Sequence, residues 1–207
     1  MNTCLPKSVS LRYVVFDGQG VHFCMKCTPF LFLLEKGVGK MYLTIRKLAI
    51  DDAEDIYNML QEIPADENGF TNSANGKTYD EYRLWLEKSY AASLQEGIID
   101  GWKVPETIFW LFEDGKPVGF GKIRHYLTDR LLEAGGNIGY SIIPEARGQG
   151  LGKKLVAGLI EEGRKIGVER LLFTIRNSNI PSIKSALANG GVIEKVTDER
   201  HYISVVL

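Results

Sequence analysis

Between residues 147 and 154 the chain reads Arg-Gly-Gln-Gly-Leu-Gly-Lys-Lys, three residues after Ile138–Ile143 and directly before an amphipathic run. Three glycines in six residues let the backbone bend sharply and approach a ligand with no Cβ in the way. The amides freed at a helix start, together with the helix dipole, form an anion site. Arg147, Lys153 and Lys154 add three positive charges, with no acid between them. A strand that delivers this loop and a helix that leaves it require a layered α/β fold. Two other phosphate loops do not fit. The G-x-x-x-x-G-K-[ST] form needs Ser or Thr after its Lys, and Lys154 follows Lys153. The dinucleotide form needs an acid at the end of the next strand, about 20 residues on, whereas Glu169 stands before that strand.

The pattern around the loop predicts the other elements. A strand over 42–48 is followed by a helix from Asp51 or Asp52, as cap, to about Ile63, with Ile56, Met59, Leu60 and Ile63 as its apolar stripe. Residues 64–78 read as a loop. Tyr79 to about Gln95 reads as a helix with Tyr82, Leu86 and Tyr90 on one face. Strands over 107–113 and 118–126 flank an Asp114-Gly115 turn, and Phe109, Trp110 and Phe112 read as strand core. A short helix over 128–134 precedes a strand over 137–143, which Pro144 stops. A helix over 150–166 carries Leu151, Leu155, Val156, Leu159 and Ile160 inward. A strand over 170–175, a helix from Pro181 to Ala188 and strands over 192–197 and 200–206 complete the chain. The order predicts a mixed α/β fold, predominantly antiparallel in its N-terminal half. A split is expected between parallel strands at 137–143 and 170–175, with a ligand at their C-terminal ends.

The first 40 residues differ. They hold Cys4, Cys24 and Cys27, all the cysteines of the chain, and no long periodic pattern. Leu11–Phe16 and Phe30–Leu34 read as short strands, and Gly37-Val38-Gly39-Lys40 as a linker. Residues 1–40 are expected to be an N-terminal extension, or else an added edge hairpin, and 41–207 the functional domain. An odd cysteine count clustered at one end fits a reducing, cytoplasmic setting better than a disulfide scaffold. Cys24-x-x-Cys27 with His22 falls short of the four ligands of a zinc site, so no metal is expected. Phe30–Leu34 is far too short to span a bilayer, so no membrane contact is expected. A net charge of −1 leaves no basic field to hold nucleic acid.

Arg147-x-x-Gly150-x-Gly152, after Ile-Gly-Tyr-Ser-Ile-Ile and before an amphipathic helix, resembles the acetyl-CoA loop of the GCN5-related N-acetyltransferases (GNAT). Leu171–Ile175 followed by Asn177-x-Asn179-x-x-Ser182 resembles that family's next segment. The resemblance covers roughly residues 42–207. Glu67-Asn68-Gly69-Phe70 and Ile123-Arg124-His125-Tyr126-Leu127 are also similar to stretches in bacterial members of unassigned substrate. The resemblance implies a mixed sheet of about six to seven strands with splayed central parallel strands and about four helices. It implies acetyl transfer from acetyl-CoA to an amine by direct attack in a ternary complex. The acceptor would be a small-molecule amine, and the protein a monomer or homodimer. The alternatives are a protein N-terminal or lysine acetyltransferase, or a CoA-binding regulatory module. One departure stands out: many members place a Tyr seven residues after the Asn, as acid toward the departing thiolate, and Ala186 occupies that place here.

The resemblance implies roles for particular residues. Arg147, Gly148, Gln149, Gly150, Leu151, Gly152 and Lys153 would cradle the pyrophosphate. Ile142 would offer its backbone N–H to the developing oxyanion, and Ile143 would hold the pantetheine arm through its backbone. Asn179 would contact the pantetheine, and it reads equally as a helix N-cap before Pro181. Ser182 is a further contact. An alkyl amine of pKa about 10.4 is only about 0.04% neutral at pH 7, a cost of roughly 4.6 kcal/mol, so a base or desolvation is needed. Glu67, His125 and Tyr140 are the candidates for that catalytic work. Each also reads blandly, as a solvated carboxylate, a structural histidine and a core tyrosine. Residues 41–75 carry seven acids against two bases, which favours a cationic acceptor if that charge borders the pocket.

Overall fold

A computed structural model of the chain describes residues 12–17, 20–23, 30–36, 39–95 and 103–207, with side chains from Tyr42 onwards. Cys4, Cys24 and Cys27 lie outside the described residues.

Strands β1 (Arg12–Asp17), β2 (Gly20–Phe23), β3 (Phe30–Lys36), β4 (Gly39–Lys47), β7 (Glu106–Glu113), β8 (Lys116–Arg124) and β9 (Ile138–Ile142) form one sheet in the order β2-β1-β3-β4-β7-β8-β9. Its pairs are antiparallel except β1 with β3. A second sheet holds β10 (Arg170–Arg176), β12 (Arg200–Val206) and β11 (Val192–Val196) in that order. A small hairpin, β5 (Asp66–Glu67) and β6 (Phe70–Thr71), stands apart. The helices are α1 (Glu54–Glu62), α2 (Tyr79–Ser93), α3 (Asp129–Glu133), α4 (Leu151–Ile166) and α5 (Ile180–Leu187).

The large sheet is apolar on both faces, and strict alternation along β7 shows how. Ile108, Trp110 and Phe112 belong to a core with Ile56, Met59 and Leu60 of α1 and Tyr82 and Leu86 of α2. Phe109 and Leu111 belong to a second core with Leu155, Val156 and Leu159 of α4. Truncating a fully buried leucine such as Leu159 should cost about 2–5 kcal/mol. Helix α4 lies close on the sheet because position 158 is glycine: a Cβ there would stand 1.8 Å from Ile45 Cδ1.

Two expected details are corrected. Helix α1 begins after Ala53, with no side-chain cap. Asp52 is instead buried, accepting from Trp110 Nε1 at 2.7 Å and Ala49 N at 2.9 Å and pairing with Arg46 at 2.5 Å. A carboxylate with a buried indole donor and a guanidinium in reach is better placed there than on exposed helix amides. In α2, Tyr82 and Leu86 are buried but Tyr90 is 37% exposed, because the helix runs past the edge of the core it covers. That helix does start as its sequence suggests: Thr78 Oγ1 accepts from Glu81 N and a Glu81 oxygen accepts from Thr78 N.

The expected split lies between β9 and β10, and it divides the structure into two sheets. Asn137 N donates to Leu172 O at 2.8 Å, and Leu172 N donates to Asn137 Oδ1 at 2.8 Å. Asn137 Nδ2 also donates to Arg124 O on β8. Gly136 makes this approach possible: a Cβ there would stand 2.3 Å from Leu172 O. Beyond this seam β9 and β10 share no ladder.

Candidate active site

A cavity of about 660 Å³ opens between β9 and β10. The loop after β9 walls it with α4 and α5 on one side, and β8 and β12 on the other, and the β5–β6 hairpin reaches from Phe70 beside Lys122 to Glu67 on Arg147.

In the loop, Gly148 and Gly150 hold φ of +76° and +79°, the left-handed region that favours glycine, and a Cβ on either would meet nothing within 4 Å. Gly150 is the cap of α4, whose first backbone bond runs from Lys154 N to Gly150 O. The amides of Leu151, Gly152 and Lys153 are thus the helix-start donors, with no carbonyl one turn back to reach. Arg147 crosses the mouth. Its Nε donates to Ile142 O at 2.9 Å, and its two terminal nitrogens donate to the two carboxylate oxygens of Glu67 at 2.9 and 2.8 Å. Asn179 caps α5, accepting from Ser182 N, and still lines the cavity.

The ladder with β8 decides which amides of β9 face the cavity. Ile143 N donates to Val118 O, so with the register Gly119↔Ile142 the bonded partners on β9 are odd-numbered. The amides of Tyr140 and Ile142 therefore point to the open edge, toward β10. The Ile143 amide is committed to β8, its carbonyl accepts from Ala146 N at 3.1 Å, and Ile143 does not line the cavity, so the structure does not bear out a backbone contact from Ile143 to the pantetheine arm.

The three catalytic candidates fall in different places. Tyr140 lines the cavity, with its hydroxyl donating to Ser182 Oγ at 3.0 Å; burial pushes its phenol above the usual value, against the pull of Ser182 and Ser185. Glu67 lines the cavity too, bound to Arg147. His125 does not line it. Alternation puts Lys122 and Arg124 toward the cavity and His125 out of phase with them, just past the end of β8. Its Nε2 shares a 2.8 Å hydrogen bond with Thr107 Oγ1, and burial, with Lys47 nearby, pushes its pKa below the ordinary histidine value. Ala186 is fully buried in the core and is not part of the cavity wall.

Sequence reasoning missed two features. Asn68 and Gly69 hold φ of +54° and +84°, making the β5–β6 hairpin that carries Glu67; an Asn-Gly pair is the strongest short hairpin signal and could have found it. The cavity wall also takes Lys122, Arg124 and Arg200 from β8 and β12, and no local pattern marks that set. Of the acids in 41–75, only Glu67 reaches the cavity. Among the described residues no group of three or more His, Cys, Asp or Glu could hold a metal ion, and no helix is long and apolar enough to cross a membrane.

The family model of the GNAT acetyltransferases matches residues 60–189. Among solved structures, a GNAT-family acetyltransferase from Streptococcus pneumoniae superposes with a TM-score of 0.55 at 20% identity, covering 80% of this chain and 99% of that one. A microcin self-immunity acetyltransferase in complex with acetyl-CoA and AMP gives 0.57 at 19%, covering 80% and 92%. A ribosomal alpha-N-protein acetyltransferase in complex with coenzyme A gives 0.59 at 14%, covering 80% and 94%. At these identities the likeness concerns the fold. Comparison with curated proteins finds no match.

Proposed function

The chain belongs to the GNAT acetyltransferase family and is an N-acetyltransferase, and from that premise we propose that it carries the acetyl group of acetyl-CoA directly to a small-molecule amine in the cavity between β9 and β10. One observation carries the reading: an anion-binding helix start and the gap between two splayed strands open into the same cavity. The residues present suit acetyl-CoA. Two glycines at positive φ with open space above them leave room for a pyrophosphate, with Arg147 and Lys153 to balance its charge. Gln149, Leu151 and Gly152 complete that cradle through the backbone. Asn179 and Ser182 flank the path of a pantetheine arm.

Acetyl-CoA supplies an activated acyl group whose carbonyl oxygen gains charge as the amine attacks. The Ile142 amide faces the gap and is our donor for that oxygen. The new C–N bond forms as the C–S bond breaks, and a thiolate leaves. Tyr140 takes the place of the proton donor that Ala186 lacks. Its raised pKa keeps the phenol protonated at neutral pH, and its hydroxyl already reaches α5 at Ser182. Glu67 acts as a positioning residue: a carboxylate gripped by both terminal nitrogens of Arg147 is a poor base, and the grip holds Arg147 at the loop. The acceptor then enters neutral. Lys122 and Arg124 beside it disfavour an ammonium, so they oppose part of the roughly 4.6 kcal/mol cost of deprotonation at pH 7. Every residue in this reading lies between 67 and 200, so we take 41–207 as the acetyltransferase unit and 1–40 as an extension.

The test is bisubstrate kinetics with acetyl-CoA and a panel of amines. Direct transfer gives intersecting double-reciprocal lines; parallel lines would mean an acetylated enzyme and end the proposal.

A further inference from the structure

The cavity wall carries five basic side chains, Lys122, Arg124, Arg147, Lys153 and Arg200, against one carboxylate, Glu67. Arg147 and Lys153 stand at the helix start, and Glu67 is bound to Arg147. The remaining three, Lys122, Arg124 and Arg200, line the cavity from β8 and β12. Lys122 and Arg124 are side chains 11% and 18% exposed, and they share a single carboxylate, Glu106, at 3.8 and 3.7 Å. Arg124 Nη1 also donates to Gly135 O and Gly136 O. Gly135 N donates to Thr174 Oγ1, and Thr174 O accepts from Arg200 Nη1 at 3.5 Å. Both guanidiniums are therefore pinned at one seam, largely by neutral carbonyls, which orient them without cancelling their charge. Among the described residues no carboxylate lies within 4.0 Å of Arg200 or of its neighbour across the ladder, Arg176, whose Nε reaches the hairpin at Gly69. Three part-buried cations against one carboxylate is a costly arrangement unless an anion joins it. Phe70 lies under the Lys122 ammonium, 5.5 Å from ring centroid to nitrogen, and gives the cavity an apolar floor there.

We propose that the acceptor amine carries an anionic oxyacid group, a carboxylate or a phosphate, and that Arg124 and Arg200 hold it across the seam with Lys122 beside them. The inference rests on the amine-transfer reading above and narrows its substrate class. It also reverses the charge expected from residues 41–75, whose acids stay outside the cavity apart from Glu67. Two planar guanidinium forks lining one cavity suit a carboxylate or phosphate better than one point charge would.

Turnover with acetyl-CoA should be compared for matched pairs: alanine with alaninamide, glutamate with its diamide, and O-phosphoethanolamine with ethanolamine. The anionic members should have kcat/KM about 10–100-fold higher, the scale of a charge-assisted hydrogen-bonded contact. The amino acids and the phosphate compound distinguish the two anion types. Arg200→Gln should erase most of that ratio, Arg200→Lys should restore part of it, and the KM for acetyl-CoA should hold in both. Neutral members used as well as anionic ones would overturn the proposal and leave amine transfer standing. Where no amine in the panel is acetylated by protein that still binds acetyl-CoA, the transfer reading fails, and the anion site is judged by NMR of the arginine side chains. In CoA-saturated protein, glutamate should shift the Arg124 and Arg200 signals while its diamide leaves them in place. Unmoved signals with glutamate would overturn the anion site itself.

Discussion

In the proposed reading, recognition at the Arg147–Lys153 end of the cavity rests on backbone, on glycines at positive φ and helix-start amides within seven consecutive residues. At the Lys122–Arg200 end it rests on side chains from β8 and β12, which the fold brings together from positions far apart in the chain. The first device needs a fixed local spacing and tolerates little change. The second needs only that the right charges arrive at one seam. It can be rebuilt by single substitutions.

The comparison is broken most severely by Gly150→Asp. A side chain at a positive φ and a negative charge in the pyrophosphate cradle should weaken acetyl-CoA binding by about 100-fold or more in calorimetry. The added Cβ meets nothing within 4 Å, so the left-handed φ is the main cost and the thermal transition should fall by only a few degrees. Unchanged affinity would remove the anion role from this end.

Tyr140→Phe separates binding from chemistry. We expect kcat to fall by about 10–100-fold, at or below the lower range for loss of an acid because a thiolate leaves readily. Acetyl-CoA affinity should change little. A phenol donor works only while protonated, so its loss appears as a fall in rate above its pKa. Burial raises that pKa, so the fall should lie above the ordinary tyrosine value of about 10, and the rate from pH 7 to 9 should show no falling limb.

The acceptor's own ionisation sharpens the contrast. At saturating acetyl-CoA the rate should rise with pH along one ionisation, and its midpoint should move with the amine used, lower for an α-amine than for an alkyl amine. His125→Ala should leave that midpoint in place, because a histidine held below its usual pKa is already neutral above pH 7. Glu67→Gln should also leave it, with at most a few-fold change in acetyl-CoA affinity and about 1 kcal/mol or less in stability, since the pair is one-third exposed. A midpoint that vanishes in either variant would make that residue the base.

The smallest effect is expected from removing residues 1–40, which should leave acetyl-CoA affinity within about two-fold, because none of the site residues lies there. Product that fails to fold would show that β4 needs β3 as its partner.

These regions also differ in how far they could be read beforehand. Apart from the β5–β6 hairpin, the strands and helices from β4 to β12 follow from hydrophobic periodicity, and the glycine loop from its spacing, because both are local properties. The pairing of Glu67 with Arg147 joins residues 80 apart, and the Asp52–Trp110 bond joins residues 58 apart. Neither has a signature in its own neighbourhood. Ala53 as a helix cap runs against propensity, and only the tertiary demand on Asp52 explains it. The separation into two sheets depends on Gly136 and Asn137 at the seam, and in sequence Asn137 reads only as the first residue of a strand.

That seam gives the cavity a pivot. Asn137 ties β8, β9 and β10 at one point, and beyond it the two sheets diverge like the blades of shears. In the proposed complex the pantetheine arm lies between the blades, with Arg124 on one and Arg200 on the other. Any factor by which an anionic acceptor alters donor affinity through that opening is, by linkage, the factor by which the donor alters acceptor affinity. Donor affinity measured with and without an anionic amine reads that factor directly, and a residue at position 137 or 136 that loosens the pivot should shrink it.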